Sequence, residues 1–214
     1  MWYEINSFYI THPHNLVINR EGKKLSAKSQ ESQMLTSESS KRLVDFLESM
    51  DLHKKDFAEM IGVTLSYVYS LIDNTIPFST RTTTLERIAL VMGISPDEFP
   101  EYKTAEEPKL IDEGLQFLKE KQKKLGLSNL QLIKKFPRQK RVEIVDLWRG
   151  AEPLPLDWNY LSTITSALNI SSKEIYPYWQ SRMQQYLLMG GIDIMSNNLL
   201  INAMFNGAKS YLKI

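Results

Sequence analysis

The chain has 214 residues, 26 Lys and Arg against 25 Asp and Glu, 43% hydrophobic residues and no cysteine. Lack of cysteine excludes a disulfide framework, a thiolate nucleophile and cysteine-ligated zinc. The longest apolar runs, such as Tyr186-Leu187-Leu188-Met189, fall far short of the roughly 20 residues of a spanning helix. With no basic and apolar secretion signal at Met1-Trp2-Tyr3-Glu4, the expectation is a packed cytoplasmic protein with no membrane partner and no cofactor.

Residues 1–25 are rich in aromatic and β-branched side chains (Ile5, Phe8, Tyr9, Ile10, Val17, Ile18) broken at His12-Pro13-His14-Asn15, which predicts a small N-terminal β hairpin. The two histidines have no companion ligand cluster in the sequence and are read as part of the turn. Residues 26–38, mostly Ser, Gln, Glu and Lys, read as a linker. Leu43, Phe46, Leu47 and Met50 then recur at helical spacing behind Ser39 or Ser40 as N-cap. A second helix over Lys54 to Ile61 buries Phe57, Ala58 and Ile61 and stops at Gly62. A third starts at Thr64 and runs through Val68 and Leu71 to Asp73-Asn74. A fourth spans Thr84 to Met92 and stops at Gly93. Ser95-Pro96-Asp97-Glu98-Phe99 gives an N-cap, a first-turn proline and a final turn. Residues 39–102 thus form a first unit of five short helices.

A divergent copy follows over 108–178. Leu71 pairs with Leu147, Leu85 with Leu161 and Ile94-Ser95 with Ile170-Ser171, all at an offset of 76, while Phe57 pairs with Leu132 and Ile61 with Phe136 at 75. Pro137 stands where the first copy has its turn glycine. The remainder, 179–214, predicts helices over Tyr178 to Met189 and from Ser196 onward. In the last, Leu199, Leu200, Ala203, Met204, Gly207, Ala208, Tyr211 and Leu212 make one apolar stripe, widened by Ile201 and Phe205. Asn206-Gly207 also fits a hairpin turn. The stripe either packs back on the preceding units or forms a homodimer.

Phe57-Ala58-Glu59-Met60-Ile61-Gly62-Val63-Thr64 and Leu85 through Phe99 resemble the Cro/C1-type (XRE) helix-turn-helix family over about 60 residues. The resemblance implies a mainly α protein with two tandem five-helix, lambda-repressor-like helix-turn-helix modules. It also implies a DNA-binding transcriptional regulator rather than an enzyme, with double-stranded DNA as partner. In that family the start of the third helix reads base edges and the start of the second grips phosphate. The matching positions in the first copy are Lys54, Lys55, Thr64, Ser66, Tyr67 and Tyr69. This set is nearly uncharged and suits a protein partner as well as DNA.

Charge is unevenly distributed: residues 41–107 hold seven basic against twelve acidic side chains, and residues 108–150 hold eleven basic against five acidic. Lys134, Lys135, Arg138, Gln139, Lys140 and Arg141 fall where the second copy's reading helix begins, with Arg149 at its far end. The resemblance assigns the main DNA contact here, with Arg138, Gln139 and Arg141 on base edges and the lysines on phosphate. An interaction protein that retains the fold, such as an antitoxin or accessory factor, is the competing expectation.

Overall fold

The computed structural model describes residues 37–76, 78, 81–103, 112–192 and 197–212. The expected hairpin at 1–25 and all but the end of the 26–38 linker lie outside the described residues. Every regular element among the described residues is helical.

The first helical block, 37–103, begins with α1 (Glu38–Ser49), whose N-cap is Ser37: its side chain accepts the Ser40 N–H, and Glu38 meets the positive helix end. Ser39 and Ser40, expected as caps, lie buried in the first turn instead. Their hydroxyls donate to Glu101 Oε2 at 2.6 Å and to the Leu71 carbonyl at 2.6 Å. α2 (Lys54–Ile61) ends at Gly62, which takes the left-handed conformation at φ 69°. α3 (Leu65–Ile72) is capped by Thr64, whose side chain accepts the Tyr67 N–H. α4 (Thr82–Met92) starts two residues before its expected position and stops at Gly93. A 3₁₀ turn, Pro96–Glu98, closes the block under a reciprocal Ser95/Glu98 capping box. Leu43, Phe57, Ile61, Val68, Leu71, Leu85 and Ile88 are buried together, so the helical periodicity translates directly into one core.

The second block, 112–192, opens with α5 (Glu113–Lys124). Its cap, Asp112, also ties down a distant loop by accepting the Leu154 N–H at 2.9 Å. α6 (Asn129–Lys134) follows a Ser128/Gln131 capping box. Pro137, at φ −55°, cannot make the left-handed turn that Gly62 makes. A 3₁₀ turn, Arg138–Lys140, therefore intervenes before α7 (Arg141–Trp148). α8 (Trp158–Ala167) is capped by Asp157. α9 (Ser172–Met189) is a single helix, where the sequence pattern predicts a short turn and then a separate helix from Tyr178. The Ser171/Glu174 box starts it. A continuous buried face of Ile175, Tyr176 and Trp179 carries it past Pro177, which has no N–H to give the Lys173 carbonyl and whose ring crowds it.

The last helix, α10 (Asn198–Leu212), runs straight through Asn206-Gly207, which removes the hairpin reading. Its buried face is not the expected stripe. Ile201 and Phe205 point inward, and Tyr176 donates its hydroxyl to the Phe205 carbonyl at 2.9 Å. Leu199, Leu200, Met204 and Tyr211 remain exposed, Leu199 at 90% and Tyr211 at 87%. Phe205 meets Trp179 edge-on, ring centres 6.3 Å apart, a favourable aromatic geometry.

Some of the repeat spacing has a counterpart in the fold. The capping boxes Ser95/Glu98 and Ser171/Glu174 recur at the offset of 76 found for Leu71 and Leu147. Phe99 and Ile175, also 76 apart, are both about 1% exposed.

Candidate nucleic-acid interface

Residues of α3 turned to solvent are Thr64, Leu65, Ser66 and Tyr69, while Tyr67 is half-buried against the core. Thr64 is engaged as the cap. The Lys54 ammonium sits 4.9 Å from the centre of the Tyr69 ring, a cation–π contact that draws the start of α2 onto the middle of α3. Lys55 is exposed beside it. A groove of about 570 Å³ runs along this edge over Leu47, Leu52, Leu65 and Tyr69, with Asp51 and Lys54 on its rim. Of the residues expected at a first DNA-facing surface, the fold therefore gathers Lys54, Lys55, Ser66 and Tyr69 and leaves them accessible.

The basic cluster of the second block meets a different environment. α7 does not project into solvent: it packs on α2 and α4 of the first block, and the preceding 3₁₀ turn also packs on α2. Arg138, Val142, Asp146 and Arg149 form one helical stripe that is turned onto those helices. Arg138 Nη2 lies 2.9 Å from Asp56 Oδ1 and its Nε lies 3.6 Å from Glu59 Oε2. The Arg149 guanidinium donates to Glu86 Oε2 at 2.6 Å and to Asp146 Oδ1 at 2.8 Å. Arg87 grips both Asp146 oxygens, at 2.8 and 2.6 Å, and donates to the Ile61 carbonyl at 3.2 Å. The guanidiniums of Arg138, expected on base edges, and of Arg149, expected at the far end of the reading helix, are thus held by carboxylates of the first block. The other cations are arranged locally. Lys135 donates to the Ala167 carbonyl, Lys140 to Glu143, and Arg141 to the Phe136 carbonyl. Lys134 and Gln139 are exposed.

Electrostatics follow this packing. Burial alone would raise the Asp146 carboxyl, but hydrogen bonds from Arg87 and Arg149 outweigh it and hold its pKa below the usual carboxylate range. At the surface, hydrogen bonds from Lys121 and from Ser171 lower Glu174 to about 2. Tyr160, under Lys140, has its hydroxyl pushed up by burial and by Glu143 and Glu152. Among the described residues there is no group of three or more His, Cys, Asp or Glu side chains able to hold a metal ion.

Sequence reasoning singled out none of Asp56, Glu59, Glu86, Arg87, Val142 and Asp146. The signal was present in two forms. An acidic stretch precedes a basic one, and Arg138, Val142 and Asp146 are spaced four apart, which puts them on one face of a helical path. Comparison with protein-family models, curated proteins and solved structures found no match to this chain.

Proposed function

We propose that the chain is a DNA-binding transcriptional regulator of helix-turn-helix design, built from two tandem copies of the module, the second divergent and more basic. The observation that carries this reading is the α2–Gly62–α3 corner. A left-handed glycine turn and a Thr64 cap leave one face of α3 open to solvent, with Lys54 and Lys55 at its edge. Duplex DNA approaching α3 meets hydroxyls and an aromatic ring for base edges and thymine methyls, and two lysines for phosphate. The exposed side chains of α10 join two such chains into a dimer that addresses two half-sites.

The test is fluorescence anisotropy with a 30-base-pair duplex of mixed sequence, titrated at low and at physiological salt. Affinity is expected to fall steeply with salt, and to drop at least tenfold in Lys54→Glu/Lys55→Glu. Salt-independent retention, or none at all at low salt, rejects the proposal.

A second reading has its own support: Leu65 is 38% and Tyr69 44% exposed along the groove that they line together with Leu47 and Leu52. Large apolar side chains along a groove suit a protein partner, and the chain would then be an interaction factor that keeps the fold. Tyr69→Ala separates the two. It abolishes co-purification of a protein partner in the second case, and in the first it weakens duplex binding without releasing any protein.

A further inference from the structure

We infer that the face of α7 and its preceding 3₁₀ turn that meets the first block is a second duplex-binding face, latent in this conformation because carboxylates of that block hold its guanidiniums in place of phosphates. The inference rests on the reading of the chain as a DNA-binding protein and adds a site and its control to it.

Three observations converge on this face. It is the part of the second block that carries its helix-flanking cations, Arg138 at the start and Arg149 at the end. These are side chains whose planar forks suit phosphate and guanine alike. The groups that cover it are acids of the neighbouring block: Asp56 and Glu59 on α2, and Glu86 on α4. Asp146, the one acid of the stripe, stays paired with Arg149 on its own helix at 2.8 Å, so release of Arg87 does not leave it bare. The covering block is also the acidic part of the sequence and the covered one the basic part, with seven basic against twelve acidic residues over 41–107 and eleven against five over 108–150. An acidic surface seated on a basic reading helix presents the charge pattern of a nucleic acid.

Along this stripe the contact is mostly ionic. Of the four stripe residues only Val142 is apolar, and it meets the first block at the Gly62 turn, where a side chain added to Gly62 would come within 2.7 Å of Val142 Cγ2. A polyanion exchanges for such contacts far more readily than for a packed apolar seam, because it supplies the same partners to the same cations. Opening frees Arg138 and Arg149 from those carboxylates at the two ends of α7, and Arg138 then stands beside Lys134, Gln139 and Lys140, which are already exposed.

Absence of native cysteine permits a clean test. Gly62→Cys/Val142→Cys is added to a triple variant in which the latch acids are neutralised: Asp56→Asn, Glu59→Gln, Glu86→Gln. Val142→Cys removes the methyl that a new Cβ would strike, and the close approach suits a disulfide. The oxidised and reduced forms of this one protein have identical charge, and circular dichroism of both checks the fold. Duplex affinity is read by anisotropy at low salt. The reduced form is expected to bind at least tenfold more tightly than the oxidised form. That gain disappears on adding Arg138→Glu/Arg141→Glu. Equal affinity in both forms, with binding still lost in Lys54→Glu/Lys55→Glu, overturns the latent face and leaves the α3 surface standing. Binding by neither form overturns both.

Discussion

At the residue scale, Gly62 answers to two constraints, and they can be separated by comparison with Gly93. Both glycines end a helix in the left-handed region, at φ 69° and 75°, where an L side chain costs roughly 1–2 kcal/mol. Around Gly93 a new Cβ meets nothing within 4 Å, whereas at Gly62 it meets Val142 at 2.7 Å and Arg87 at 3.0 Å. Gly93→Ala is therefore expected to cost only the backbone term in urea denaturation. Gly62→Ala should cost measurably more, and the excess should vanish in a Val142→Ala background; equal costs for the two glycines would contradict the close contact between blocks.

Asp146 gives the corresponding prediction for pH. Its carboxyl titrates below its ordinary value, near 4, because two guanidiniums hold the anion. A depressed pKa means that the contribution is complete above the unfolded value and is lost as pH falls through the folded one. Between pH 5 and 8 this group should add no slope to stability, and the loss should begin only below about pH 4. In Asp146→Asn that acid-side loss should shrink, and the variant should be less stable at neutral pH, because Arg87 and Arg149 then keep two partly buried charges with weaker partners. Denaturant midpoints measured from pH 3 to 8 check both, and an unchanged acid limb in Asp146→Asn would refute the assignment.

At the element scale, α10 shows how far periodicity reaches and where it stops. A helix was legible from the spacing of its apolar residues, and so was the end of α2 at Gly62 and the cap at Thr64, because those signals are local to a few positions. Which face of α10 is buried was not legible. The sequence offers two overlapping apolar faces, and the choice falls to Tyr176 and Trp179, which receive Phe205. Pro137 likewise announced that the second turn differs from the first, but the 3₁₀ turn after it also depends on how Arg138 to Arg141 pack against α2. The partition of α10 makes its faces experimentally distinct. Phe205→Ala should cost on the order of 3 kcal/mol, the usual range for a buried aromatic, and free the end of the chain to proteolysis. Leu200→Glu/Met204→Glu, on the exposed face, should leave the monomer's stability nearly unchanged and reduce self-association in sedimentation equilibrium. A wild-type chain that sediments as a monomer at micromolar concentration rejects the dimer.

At the scale of the whole molecule, the relation between the two blocks was the part least open to sequence reasoning. The charge asymmetry was visible. Opposite charges in adjacent segments fit either a basic face prepared for DNA or two segments prepared for each other, and spacing alone does not decide between an external phosphate and an internal carboxylate. In the fold, α2 and α4 pack on α6 and α7, joining Arg87 to Asp146 and Arg149 to Glu86 with side chains only 7–20% exposed. Pairs buried to that degree are screened less than surface pairs, yet each still depends on both partners being ionised and in place. Cooperativity between the blocks should then depend on salt and on a single arginine. At low salt and neutral pH the described helices should unfold in one urea transition, as linked domains do when their contact is strong relative to their own stabilities. Adding NaCl to about 0.5 M, where the Debye length is close to 4 Å, should lower the midpoint and begin to split the curve into two steps, by screening the half-exposed Arg138 contacts to Asp56 and Glu59 rather than the buried pairs. Arg87→Ala should produce that split already at low salt, because it removes both hydrogen bonds to Asp146 across the contact and the one that steadies the Ile61 carbonyl beside it. Tryptophan fluorescence, in a Trp2→Phe background, follows the second block alone, since Trp148, Trp158 and Trp179 all belong to it. A single transition with the same midpoint in Arg87→Ala would show that the blocks are joined by apolar packing instead, and with it the electrostatic account of their closure would fall.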